Sequence, residues 1–143
     1  MADIFHQFPI KASREKVFAA IAKPAGLDAW WTLRAAGEPV EGAEYVLYFG
    51  PEYDWRARVV CCEPDSAFEF ELTVARADWM NARVGFVLAE QAGVTEVRFH
   101  HTGWPAVSEH FCISSFCWAM YLRLLKRYVE FGEVVPYEAR LDA

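Results

Sequence analysis

"VTEVRFHHTGWPAVSEHFCISSFCWAMYLRLLKRYVEF", residues 94–131, changes its period half-way along. Up to His101 the chain alternates. Val97, Phe99 and His101 fall on one side, and Glu96, Arg98 and His100 on the other. That is the pattern of a strand with one covered and one wet face. From about Val107 the period becomes helical. Phe111, Ser114 or Ser115, Trp118, Leu122, Leu125 and Val129 recur at steps of three and four, with Arg123, Lys126, Arg127 and Glu130 largely off that stripe. The spacing predicts a helix of about 25 residues, roughly 37 Å long and able to cross a whole sheet. Gly132 suits its C-terminal cap, and Pro136 limits any continuation.

Upstream of this switch the chain is mostly alternating. "DIFHQFPI" (3–10) reads as a strand. "SREKVFAAIA" (13–22) reads as a short helix with Ser13 as its N-cap, and Pro24 opens a second one, "PAGLDAWW" (24–31). "TLRAAGEPVEGA" (32–43) reads as loop. Then come "EYVLYFG", "YDWRARVVCCEP", "AFEFELTV" and "NARVGFVLAE", separated by turn signals at "GPE", "EPDS" and "RADWMN". The order is therefore strand, two short helices, five strands and one long helix. Short turns between consecutive strands predict an antiparallel meander. Its apolar face and the apolar stripe of the last helix need one another. The expected fold is α+β, a curved six-stranded antiparallel sheet gripping the C-terminal helix, in one domain over residues 1–143.

Composition narrows the function. The chain is 143 residues long and carries a net charge of −6. It has no dense Lys/Arg stripe, which argues against nucleic acid and anionic membranes. No run approaches 18 apolar residues, and the N-terminus lacks the pattern of a secretory leader, so no membrane span is expected and the cytoplasm is the expected location. The four cysteines, Cys61, Cys62, Cys112 and Cys117, show no CxxC spacing and read as free thiols. Aromatic residues make up 16% of the chain, enough to line an apolar cavity as well as fill a core.

Several segments together carry a family resemblance. "FPIKASREKVFAAIAKPAGLDAWW", the Gly-led "PVEGAEYVLYF", the strand pair in "WRARVVCCEPDSAFEFEL", "GVTEVRFHHTG" and "CWAMYLRLLKRYVEFGEVVP" follow one another in the order and spacing of the START-like superfamily. This is the helix-grip, polyketide cyclase/Bet v 1-like superfamily, and the segments resemble in particular the group related to the C-terminal domain of the Hsp90 ATPase activator. The resemblance implies a cavity between sheet and helix more than it implies a reaction. Eukaryotic activators also carry a second domain that binds the chaperone, and here one helix-grip unit uses the whole chain.

The candidate chemistry is sparse. His100 and His101 point to opposite faces of a strand, so they cannot jointly grip a metal. His101, His110 and Cys112 are the one conceivable zinc set, and a hydrogen-bonded structural role for His101 is the simpler reading. No phosphate loop, nucleotide fingerprint or nucleophile elbow appears, and no cofactor or metal is expected. Arg56, Arg58, Arg83 and Arg98 share phases with Glu69, Glu71 and Glu96 and read as wet-face ion pairs. Arg34 reads as a solvated loop residue near the cavity mouth.

The leading expectation is a carrier or sensor for a small, mostly apolar molecule. Trp31, Trp55, Phe70, Phe86, Phe99 and Trp118 would form the apolar wall, and His101 and Ser115 the polar anchors. Two alternatives stand beside it. In one, a cyclase or hydratase uses His101 as base, as in some members of the resembled superfamily. In the other, a protein-binding domain meets a chaperone or forms a homodimer through Phe5, Tyr48, Trp79 and Tyr137.

Overall fold

The computed structural model describes residues 1–143. Its strands are β1 (Ala2–Ile10), β2 (Arg34–Ala36), β3 (Glu44–Tyr48), β4 (Asp54–Glu63), β5 (Ala67–Val74), β6 (Arg83–Gln91) and β7 (Val94–Trp104). Helices α1 (Arg14–Ala22) and α2 (Pro24–Asp28) follow β1. Helix α3 (Glu109–Phe131) follows β7, and a 3-10 helix, Tyr137–Asp142, ends the chain. The strands form one antiparallel sheet in the order β1-β7-β6-β5-β4-β3-β2. Only the β1–β7 pairing joins strands distant in sequence; the rest is a meander.

The sheet thus has seven strands rather than the expected six. The extra strand is β2, inside the stretch read as loop. It is three residues long and pairs Arg34, Ala35 and Ala36 with Tyr48, Leu47 and Val46 at the sheet edge. Helix α3 starts close to where the period changes. The Ser108 side chain accepts from the Phe111 N–H, and Gly132, at φ 68°, closes the other end.

The two short helices meet at close range. A Cβ on Gly26 would sit 2.6 Å from Ala20 Cα, so only glycine fits where α2 crosses α1. Strand β4 is irregular. Its register shifts between Val59 and Cys61, which sets Cys61 opposite Glu69 on the wet face and Cys62 opposite Phe68. Cys61 therefore leaves the inward phase that strict alternation assigns it.

On the wet face, Arg58–Glu71, Arg83–Glu69 and Arg98–Glu96 pair across or along strands, and Arg56 pairs with Asp54. His100 Nε2 lies 2.6 Å from Glu69 on the same face. On the other face, Ile4, Val84, Phe86 and Phe99 join residues of α1, α2 and α3 in one apolar cluster, and His101 is buried on the same face.

Candidate functional site

Strand β7 turns His101 inward, where it is fully buried. Trp118, at the middle of α3, donates its indole N–H to His101 Nδ1 at 3.0 Å. With Nδ1 accepting, the proton of the neutral ring is assigned to Nε2. Burial, reinforced by His100 and His110 and opposed by Asp78, lowers the His101 pKa to about 3. The ring is neutral at any ordinary pH and its lone pair is already in use. It is therefore ill suited as the general base that the cyclase reading requires.

A second histidine sits close by. His110, in the first turn of α3, places Nδ1 2.6 Å from Asp78 Oδ2 and stacks on Trp79 with ring centres 6.0 Å apart. This acid–imidazole pair is half-buried. Asp78 occupies Nδ1 and so fixes the orientation of the ring against Trp79.

A pocket of about 150 Å³ opens between α3, the Trp31 segment and the turn that carries Trp79. Trp31, Trp79 and Trp118 form its aromatic wall; His110, Ser114 and Cys117 come from α3, together with Ile113 and Tyr121. Burial pushes the Cys117 thiol up, so it is an unreactive, protonated wall group. Burial, with Tyr137 and Cys117 nearby, likewise pushes the Tyr121 hydroxyl up to about 12.

The chain's C-terminus fixes one side of this wall. Buried Arg140 donates to the carbonyls of Asp28 (2.7 Å), Thr32 (3.2 Å) and Val135 (3.0 Å). Asp28 Oδ1 in turn accepts from the Thr32 hydroxyl and the Ala35 N–H, each at 2.7 Å. The segment bearing Trp30 and Trp31 is thus held from both sides. Trp30 is buried as well and donates to the Ala20 carbonyl at 3.0 Å.

Of the residues expected to surround a cavity, the structure brings Trp31 and Trp118 to the pocket, 5.0 Å apart. The other rings largely fill the interior themselves. Phe99 packs on Trp118 at 4.6 Å, Phe86 on Phe99 at 5.2 Å, and Phe70 on Tyr45 and Phe68 at 4.9 and 4.8 Å. Trp55 is half-buried and meets Trp79 at 4.6 Å. Ser115 lies outside the lining, and Ser114 takes its place.

Trp79 is buried (7% exposed) at the centre of the ring cluster, contrary to its expected place in an exposed patch. Sequence reasoning missed it because a turn residue carries no period. Asp78 and Tyr121 were missed too, since neither stands on a diagnostic spacing. No three His, Cys, Asp or Glu side chains gather as a metal site, and Cys112 is exposed. Arg34 is exposed on edge strand β2 and stacks its guanidinium over Tyr48 at 4.7 Å.

Residues 11–130 match the family described as Activator of Hsp90 ATPase homolog 1-like protein. The chain belongs to this family. Solved structures superpose over most of this chain. The Aha1 dimer from Colwellia psychrerythraea, known in solution, is 28% identical with a TM-score of 0.84, covering 93% of this chain and 99% of that one. Protein MLL2253 from Mesorhizobium loti is 16% identical with a TM-score of 0.81, covering 93% and 100%. CalU16 from Micromonospora echinospora is 19% identical with a TM-score of 0.72, covering 91% and 77%. Comparison with curated proteins finds no match. No helix of this chain is long and apolar enough to cross a membrane.

Proposed function

We propose that this protein binds a small, mostly apolar molecule in the pocket that α3 forms with Trp31 and Trp79. The observation that supports the reading is the tryptophan wall of Trp31, Trp79 and Trp118, interrupted on the α3 side by Ser114 and the His110–Asp78 pair. Apolar surface with a few placed polar groups is the usual make-up of a ligand site. At about 150 Å³ the pocket takes a body near the size of one aromatic ring. Native mass spectrometry against a panel of ring-sized and larger apolar compounds tests this, with Cys117→Phe as the filled-pocket control. Binding that Cys117→Phe abolishes supports the reading, and binding indifferent to that substitution refutes it.

A second reading is self-association, supported by a different surface. Ile113, Phe116, Met120 and Phe131 follow one another at helical spacing on α3, and Phe116 and Phe131 are 80% and 75% exposed. The Colwellia psychrerythraea relative is described as a dimer. Light scattering on the wild type and on Phe116→Glu distinguishes a dimer through this face, which the charge would split, from a monomer.

A further inference from the structure

Helix α3 has a second stripe, on the side away from Trp118, Leu122 and Leu125. Cys112, Ile113, Phe116, Ala119 and Met120 form its middle, with Glu109 at one end and Arg123 at the other. At 3.6 residues per turn, all of them lie within about 60° of Phe116 around the helix axis. Phe116 is 80% exposed and Ile113 53%. Glu109, Cys112, Ala119 and Arg123 are exposed as well, and Met120 is half-buried. Glu109 and Arg123 stand seven residues to either side of Phe116. Neither has an ion-pair partner in its own chain, whereas Glu130 holds Lys126 and Glu133 holds Arg127. A groove on this face has Phe116, Ala119, Met120 and Arg123 in its lining. Four residues at i, i+3, i+4 and i+7 outline the hole that takes a side chain from a facing helix.

We infer that a second copy of this chain lays its α3 antiparallel on this stripe, with the two-fold axis at Phe116. The inference rests on the self-association reading above and fixes the direction and register of the contact. About that axis Phe116 meets the partner's Phe116, as a symmetric interface requires. Ile113 meets the partner's Ala119, and Cys112 the partner's Met120, so a larger side chain faces a smaller one each time. Glu109 meets the partner's Arg123, and symmetry repeats this pair at the other end. A parallel pair in register would set Glu109 on Glu109 and Arg123 on Arg123. An antiparallel axis midway between Phe116 and Phe131 would gather Arg123, Lys126 and Arg127 of both copies, and like charges oppose that. Exposed ion pairs contribute little energy each, so here they select the register while the apolar residues hold the contact. Phe131 stays outside it, because the position it would face precedes the start of the partner helix at Glu109.

Charge reversal tests the register. Sedimentation equilibrium over a concentration series gives the dimer dissociation constant of the full chain and of each variant, with circular dichroism confirming that each is folded. Glu109→Arg sets two cations against each other at both ends of the contact, and Arg123→Glu sets two carboxylates there. Each alone should weaken the dimer by roughly tenfold. The double variant carrying both changes restores opposite charges and should return to within about threefold of the wild type. Added salt should weaken the wild type and strengthen either single variant. Phe131→Glu should leave the dimer unchanged. Single reversals without effect, a double variant no tighter than the singles, or a dimer split by Phe131→Glu each overturn the register. If Phe116→Glu still splits that dimer, the self-association reading stands without it. A monomer at every concentration, or a dimer indifferent to Phe116→Glu, overturns both.

Discussion

Trp118 and His101 are joined by an indole-to-imidazole hydrogen bond of 3.0 Å, which ties the middle of α3 to the inner face of β7. Trp118→Phe keeps most of the ring volume and removes the donor, leaving Nδ1 buried and unpaired. A loss of about 1–3 kcal/mol is expected. Urea unfolding measures it, and a change within about 0.5 kcal/mol, typical of a neutral surface substitution, would show that the bond holds little.

The same histidine makes stability depend on pH. Its unfolded-chain pKa is about 6.5, and its folded value is lowered to about 3. Between those values only the unfolded chain takes up the proton. Stability is therefore highest above the unfolded value and falls on acidification by about 1.4 kcal/mol per pH unit within that window. Between pH 7 and pH 5 the wild type should lose about 2 kcal/mol more than His101→Gln, which has no such proton to bind. Parallel curves for the two proteins in urea titrations would contradict the assignment.

Arg140 satisfies three carbonyls at once, on Asp28, Thr32 and Val135. Arg140→Met keeps the apolar stem and leaves all three without this donor, so a loss of roughly 2 kcal/mol or more is expected. Arg140→Lys should recover only part of it, because one ammonium cannot reproduce the planar fork. Hydrogen exchange should report the loss locally, around residues 28–35. Unchanged exchange there would mean that the tail does not hold the Trp31 segment.

Gly26 marks the tightest approach between α1 and α2. Gly26→Ala drives a methyl group into the backbone around Ala20 and should cost about 1–3 kcal/mol. Ordinarily the same change in a helix is stabilising, by up to about 1 kcal/mol. A raised melting temperature in this variant would disprove the close crossing.

Much of the architecture could be read from periodicity because one face of each long strand is buried. Strand β7 and helix α3 announce themselves through the switch from steps of two to steps of three and four. Strand β2 does not, because "RAA" is too short to alternate and exists through its bonds to β3. The 3-10 helix at Tyr137–Asp142 is likewise set by distant partners, since Arg140 finds its acceptors in Asp28 and Thr32, more than a hundred residues upstream. The pocket was the least readable part. Inward phase marked Phe70, Phe86 and Phe99 correctly as buried, but whether rings surround a space or fill it depends on rotamers. Trp79 decides that question, and it reaches the interior from a turn.

The pairing of β1 with β7 also bears on synthesis. Ile4 finds His101, and Ile10 finds Thr95, so the first strand emerges from the ribosome long before its mate exists. During that interval Ile4, Phe5, Phe8 and Ile10 stand without their sheet, a window in which a nascent-chain holdase would have something to hold. Closure must wait for the last strand, and such long-range pairing slows the final step.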